Sequence, residues 1–129
     1  MVVSKRLPVP TEAQEAAVLV GYLRMKGYKF HHSPNETGSS ADMRRRAIRV
    51  KREGTSKGFP DYLIIVNNQL IAIELKRLKG STTSPEQYEW ITALMKAGIP
   101  AIICKGAKDA IDFVELTAKS KAITDENPF

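Results

Sequence analysis

"GFPDYLIIVNNQLIAIELK" (Gly58–Lys76) decides the fold. Two apolar runs flank Asn67 and Asn68, and asparagine tolerates the positive φ of a two-residue hairpin turn better than most residues. A regular hairpin closed on that turn pairs Val66 with Gln69, Ile65 with Leu70, Ile64 with Ile71, Leu63 with Ala72 and Tyr62 with Ile73. The next step outward sets Asp61 opposite Glu74 on one face of the sheet. Alternation brings Lys76 to the same face. A register slip of one residue would separate them.

Directly opposed residues hold their Cβ atoms about 4.5–5.5 Å apart, and like charges so placed destabilise a sheet. At ~4 Å, two unit charges repel by about 4 kcal/mol when the effective dielectric is about 20. A small domain has only about 5–15 kcal/mol of stability in total. Three remedies exist: Lys76 neutralises one acid, one acid keeps its proton, or a divalent cation binds between them. Two carboxylates suit Mg²⁺ or Mn²⁺, with water and substrate phosphate completing the shell. The plainer alternative is an ion pair between Glu74 and Lys76 at a solvated hairpin end, with Asp61 capping a turn after Pro60.

Working outward, "TEAQEAAVLVGYLRMKG" predicts a first helix. Thr11 and Gln14 form a capping box, Gly27 is the stop, and Ala13, Ala16, Ala17, Val20 and Leu23 recur at helical spacing towards a core. "YKFHH" predicts a short strand, and "SPNETGSS" a loop. The stretch from about Ala41 to Glu53 predicts a basic helix closed by Gly54. After the hairpin, "SPEQ" opens another helix with Ser84 as N-cap, Pro85 at the first position and Gln87 completing the box. "IPAIIC" is a strand and "AKDAIDFVELTAKS" a last helix. The order α-β-α-β-β-α-β-α implies an α/β domain, a central mixed sheet of about four strands flanked by helices. A single domain is expected over residues 1–129, with its core at about 11–116 and a loose tail at 121–129.

The chain of 129 residues is 43% hydrophobic and 26% charged, ordinary for a globular domain. It has no apolar run of bilayer length and no secretory h-region in "MVVSKRLPVP". One cysteine, Cys104, excludes a disulfide framework and reads as a small core residue. An intracellular, cytoplasmic setting is expected (host cytoplasm if phage-encoded), with no membrane partner. The net charge of +6 biases the protein towards polyanions. "DMRRRAIRVKRE" concentrates Arg44, Arg45, Arg46, Arg49, Lys51 and Arg52, with too few acids beside them for an ion-paired surface helix. These six are the expected DNA-binding residues, although such runs are commonly just solvated.

Pro60-Asp61 followed by Glu74-Leu75-Lys76 on the next strand resembles the PD-(D/E)XK nuclease signature. More narrowly, "GFPDYLII", "LIAIELKR" and "SPEQYEWITALMKAGIPAIIC", led by "TEAQEAAVLVGYLRMKGYKFHHSPNE", resemble the VRR-Nuc (virus-type replication-repair nuclease) domain from about Thr11 to Leu116. The resemblance is to the stand-alone phage and bacterial type. It implies a homodimeric, metal-dependent DNA endonuclease of DNA repair, related to Holliday-junction resolvases.

By that resemblance, Asp61, Glu74 and the backbone carbonyl of Leu75 are the expected metal ligands, and Mg²⁺ or Mn²⁺ the cofactor. Lys76 is expected to position or activate the attacking water, or to stabilise charge on the phosphate. Gln87 matches a glutamine beside the site, but a capping-box role rivals that reading. An acid from the first helix completes such sites; Glu12 matches best and Glu15 is the alternative, since spacing cannot separate them. First-turn dipole stabilisation would equally explain Glu12. His31 and His32 alternate to opposite faces and are expected in surface or core roles. Asn35 and Glu36 fall in a loop that the family also carries, where an approach to DNA, not catalysis, is the expectation. A non-catalytic nucleic-acid-binding protein, or a subunit for an active partner, is the competing class.

Overall fold

The computed structural model describes residues 8–33, 54 and 57–125, with side chains up to 120. The expected basic helix, with Arg44, Arg45, Arg46, Arg49, Lys51 and Arg52, lies outside the described residues, as do Asn35 and Glu36. Four strands form one sheet in the order β1-β2-β3-β4: β1 (Lys29–His32), β2 (Tyr62–Val66), β3 (Gln69–Lys76) and β4 (Ala101–Lys105). Three helices accompany them: α1 (Glu12–Lys26), α2 (Pro85–Lys96) and α3 (Gly106–Asp125).

The hairpin turns on Asn67 and Asn68, at φ 49° and 66°. Its register runs from Val66 with Gln69 through Tyr62 with Ile73, as the turn chemistry dictates. β1 pairs antiparallel with β2, placing His32 beside Tyr62. β4 runs parallel to β3, with Glu74 beside Ile103 and Lys76 beside Lys105. The β3–α2–β4 crossover makes the sheet mixed.

Period-two alternation divides the hairpin between two layers. Tyr62, Ile64, Val66, Ile71, Ile73, Leu75 and Cys104 are buried against Leu19 and Leu23 of α1 and Ala107, Ala110 and Val114 of α3. Each large aliphatic side chain buried this way contributes about 1.5–3 kcal/mol. The other face carries a thinner cluster of Ala72, Ala101 and Ile91, with Leu63, Leu94 and Ile103 partly buried. Asp61, Glu74 and Lys76 belong to this second face.

Both expected capping boxes form, Thr11 with Gln14 and Ser84 with Gln87, and Gly27 ends α1 at φ 74°. The expected core face of α1 is met at Leu23, which is buried, and at Ala16 and Val20, which pack against the core, and missed at Ala13 and Ala17. Ala13 and Ala17 are exposed, while Glu15, Leu19, Tyr22 and Leu23 are buried. Alanine and valine fall on both the packed side (Ala16, Val20) and the exposed side (Ala13, Ala17, Val18), so they orient the helix only loosely; the larger Leu and Tyr side chains decide which face packs. α3 continues to Asp125, beyond the point near Lys121 where periodicity fades.

Candidate active site

Asp61 precedes β2 directly, and its backbone carbonyl accepts the Ser33 N–H at 2.8 Å, tying it to the end of β1. Its side chain faces that of Glu74 across the hairpin, near enough for each carboxyl to shift the other's pKa. Both carboxyls are almost wholly enclosed, at 6% and 1% exposure. Burial raises both pKa values, since ionisation in a poorly solvated site is disfavoured. Glu74 is pushed up to about 8, by burial first and then by the Asp61 carboxyl, with Lys76 opposing. Without a cation, the pair therefore keeps a proton well above the pH at which an ordinary carboxylate releases it.

Lys76 Nζ lies 3.8 Å from Glu74 Oε2, too far for a hydrogen bond but close enough to act on its charge. That oxygen is buried and has no hydrogen-bond partner among the described residues. Leaving a buried carboxylate oxygen unsatisfied is costly, so the orphan oxygen marks a place for a proton or a cation.

Glu12 and Glu15 separate cleanly. Glu12, at the exposed start of α1, places its charge near enough to Asp61, Tyr62 and Glu74 to raise all three. Glu15 turns inward to the start of α3, where its Oε1 accepts the Ala107 N–H at 3.3 Å. A carboxylate there satisfies a free helix N–H and complements the dipole. Of the two acids that spacing left open, Glu12 attends the pair and Glu15 caps a neighbouring helix. Among the described residues, however, no group of three or more His, Cys, Asp or Glu is arranged to hold an ion. The two-carboxylate pair still fits Mg²⁺ or Mn²⁺, which commonly take one or two carboxylates and keep several waters.

Gln87 is engaged in its capping box: its Oε1 accepts the Ser84 N–H at 3.0 Å and its own N–H donates to Ser84 Oγ at 3.2 Å. His31 is exposed and His32 partly buried, on opposite faces. His32 stacks on the Tyr62 ring at 4.2 Å and, with less effect than Glu74 or Glu12, moves the Asp61 pKa, lowering it. The Tyr62 hydroxyl is buried without a partner among the described residues.

Three features were not singled out from the sequence. Gly58 has φ 90°, and a Cβ there would come within 2.6 Å of Glu86 C and 2.8 Å of Gln87 N. Phe59 meets Trp90 edge to face at 4.9 Å. The segment before Asp61 is thus seated on the first turns of α2. The third is Arg77, whose Nε donates to the Pro10 carbonyl at 3.3 Å, with Nη2 3.5 Å from that of Val9. "GFPD" carried the first signal, since glycine before a constrained Phe-Pro step marks close backbone approach.

A mixed sheet presenting two buried acids and a lysine on one hairpin, closed by a helix over the preceding loop, has the build of a nuclease-type α/β domain. The model of the VRR-NUC domain matches residues 8–108. A solved structure described as a VRR_NUC domain protein superposes with a TM-score of 0.71 at 26% identity, covering 88% of this chain and 92% of that one. No curated protein matches the sequence. The chain belongs to the VRR-NUC domain family, which implies a nuclease-type function. Among the described residues, no helix is long and apolar enough to cross a membrane.

Proposed function

We propose that this protein is a divalent-metal-dependent DNA endonuclease that hydrolyses phosphodiester bonds, selectively in branched DNA such as four-way junctions. The observation that carries the reading is the buried Asp61–Glu74 pair with an unsatisfied Glu74 oxygen and Lys76 alongside. Mg²⁺ or Mn²⁺ bound there would lower the pKa of a water and offset charge building on the phosphate. Asp61 and Glu74 would hold the ion, with the Leu75 carbonyl as a further ligand. Lys76 would orient the attacking water or bind a phosphate oxygen. Glu12 would add its negative charge beside the ion. Gln87 would act chiefly by fixing the start of α2.

Branched DNA as substrate rests on the family resemblance, on the net charge of +6 and on the absence of an obvious base-reading pattern in the Arg-rich stretch. A homodimer would suit a four-way junction, since paired sites related by a two-fold axis could cut symmetric strands.

The test is cleavage of an end-labelled four-way junction beside flap, bubble and linear duplexes, with Mg²⁺, Mn²⁺ or EDTA. Metal-dependent cutting of the junction is expected. Asp61→Asn should abolish it while largely preserving binding, and Lys76→Ala should lower it by about 100-fold or more. Tight binding without cutting under either metal would favour a non-catalytic binding subunit. Cutting by Asp61→Asn at the wild-type rate would remove the metal site.

A further inference from the structure

Alternation sends Lys76 and Arg77 to opposite faces, so the residue after the proposed catalytic lysine points towards the α1 side. There its guanidinium spans two consecutive carbonyls, Pro10 at 3.3 Å and Val9 at 3.5 Å. Those carbonyls immediately precede Thr11, the N-cap of α1, and Glu12, its first residue. The planar fork of arginine suits such a bracket, because several N–H donors leave one rigid group at fixed angles. The Arg77 carbonyl in turn accepts the Ser81 hydroxyl at 3.3 Å, which ties Arg77 into the turn after β3. One turn into α1, Glu15 is held by the Ala107 N–H. The first turn of α1 is thus fastened at both ends, to the end of β3 and to the start of α3.

We propose that Arg77 is a positioning residue, which locks the entry of α1 to the end of β3 so that the Glu12 carboxylate stands against the Asp61–Glu74 pair. The inference rests on the metal-site reading above and extends it to a residue that touches neither ion nor substrate. Register explains why this role falls to Arg77. Glu74, Lys76 and Arg77 leave the same stretch of chain within four positions, so any shift of α1 against Arg77 is also a shift of Glu12 against the acids.

The sign of the effect separates positioning from simple electrostatics. Removing a nearby cation should, by charge alone, tighten binding of another cation. Losing the clamp should weaken it, because a carboxylate that favours the ion is no longer held beside the pair.

The experiment is Mn²⁺ titration followed by loss of the free-ion electron paramagnetic resonance signal. Wild type, Asp61→Asn, Glu12→Gln, Arg77→Ala, Arg77→Lys and the double variant Glu12→Gln/Arg77→Ala are compared, with thermal melts alongside. Arg77→Ala should weaken Mn²⁺ binding by about tenfold, the low end for residues that orient metal ligands. Arg77→Lys, which can reach one carbonyl, should recover part of the loss. The double variant should bind no worse than the weaker single variant, because the clamp acts only through Glu12. Unchanged or tighter binding by Arg77→Ala, or additive losses in the double variant, would overturn the proposal. If Arg77→Ala does not fold, Arg77→Lys carries the same comparison, and wild-type affinity there overturns it. Saturable wild-type binding that Asp61→Asn abolishes keeps the metal site whatever Arg77 does. If wild type binds no Mn²⁺, or Asp61→Asn binds equally well, the metal-site reading fails and the proposal with it.

Discussion

At Glu74 the site's chemistry becomes a stability term. Burial and the Asp61 charge raise its pKa from 4.5 to about 8, and burial raises Asp61 as well. Between those two Glu74 values the folded state holds a proton that the unfolded state has released, so stability falls as pH rises through this window. Below about pH 4 both states are protonated at Glu74, and above about pH 8 the loss is complete. Metal-free protein should therefore melt progressively lower from pH 5 to pH 8, and Glu74→Gln should flatten the trend. A cation takes the proton's place most easily where the proton is weakly held, so Mn²⁺ should raise the melting temperature strongly at pH 8 and little at pH 5. Equal stabilisation at both values would mean the ion binds elsewhere. Glu15, also buried, serves the fold instead. Glu15→Ala leaves the Ala107 N–H without its acceptor and should cost about 1–2 kcal/mol, comparable to losing a helix cap. Thermal denaturation reads it, and because Glu15 is engaged at the start of α3, Mn²⁺ affinity should change far less than stability.

Between elements, the decisive contact is Gly58 on the start of α2. A side chain at position 58 would meet backbone atoms of Glu86 and Gln87 and would sit at a φ that side chains rarely adopt. Gly58→Ala should cost about 1–3 kcal/mol, the usual range for forced overpacking, and should displace Asp61, three residues on. Calorimetry checks the first effect. A drop in cleavage rate at temperatures where the variant remains folded checks the second. The contrast between the hairpin and Gly58 shows what a sequence makes legible. Asn67-Asn68 set the register, and register alone brought Asp61, Glu74 and Lys76 together. Both capping boxes were equally readable, because cap and partner lie three residues apart. By contrast, Arg77 with Pro10 spans 67 positions and Glu15 with Ala107 spans 92. No local pattern encodes such pairs, so Glu12 and Glu15 became distinguishable only once α3 was in place. Gln87 was ambiguous for a related reason: the same spacing serves a cap and a site, and of the two the cap is visible in its hydrogen bonds.

Across the whole molecule the charge is lopsided. Asp61 and Glu74 sit together at the open end of the hairpin, within reach of the Glu12 charge, whereas six of the twenty Lys and Arg fall in "DMRRRAIRVKRE" between β1 and β2. β1 ends at His32, stacked on Tyr62, and β2 begins directly after Asp61. On the proposed function, a DNA phosphate brought to the acids would be repelled by them until a cation offsets their charge. Electrostatic capture and metal loading thus become linked: DNA should bind more tightly with the non-catalytic ion Ca²⁺ than with EDTA, a difference that Asp61→Asn should diminish. The basic stretch has its own signature. Each phosphate neutralised releases counterions, and log K falls with log salt at a slope of about −0.9 per contact. Replacing Arg44, Arg45 and Arg46 by Ala lowers the net charge by three, from the wild-type +6, and should flatten the slope by up to about 3. Fluorescence anisotropy of a labelled junction across a salt series measures it. A weakened but parallel line would mean that these arginines act on the fold, and an unchanged line that they face away from DNA.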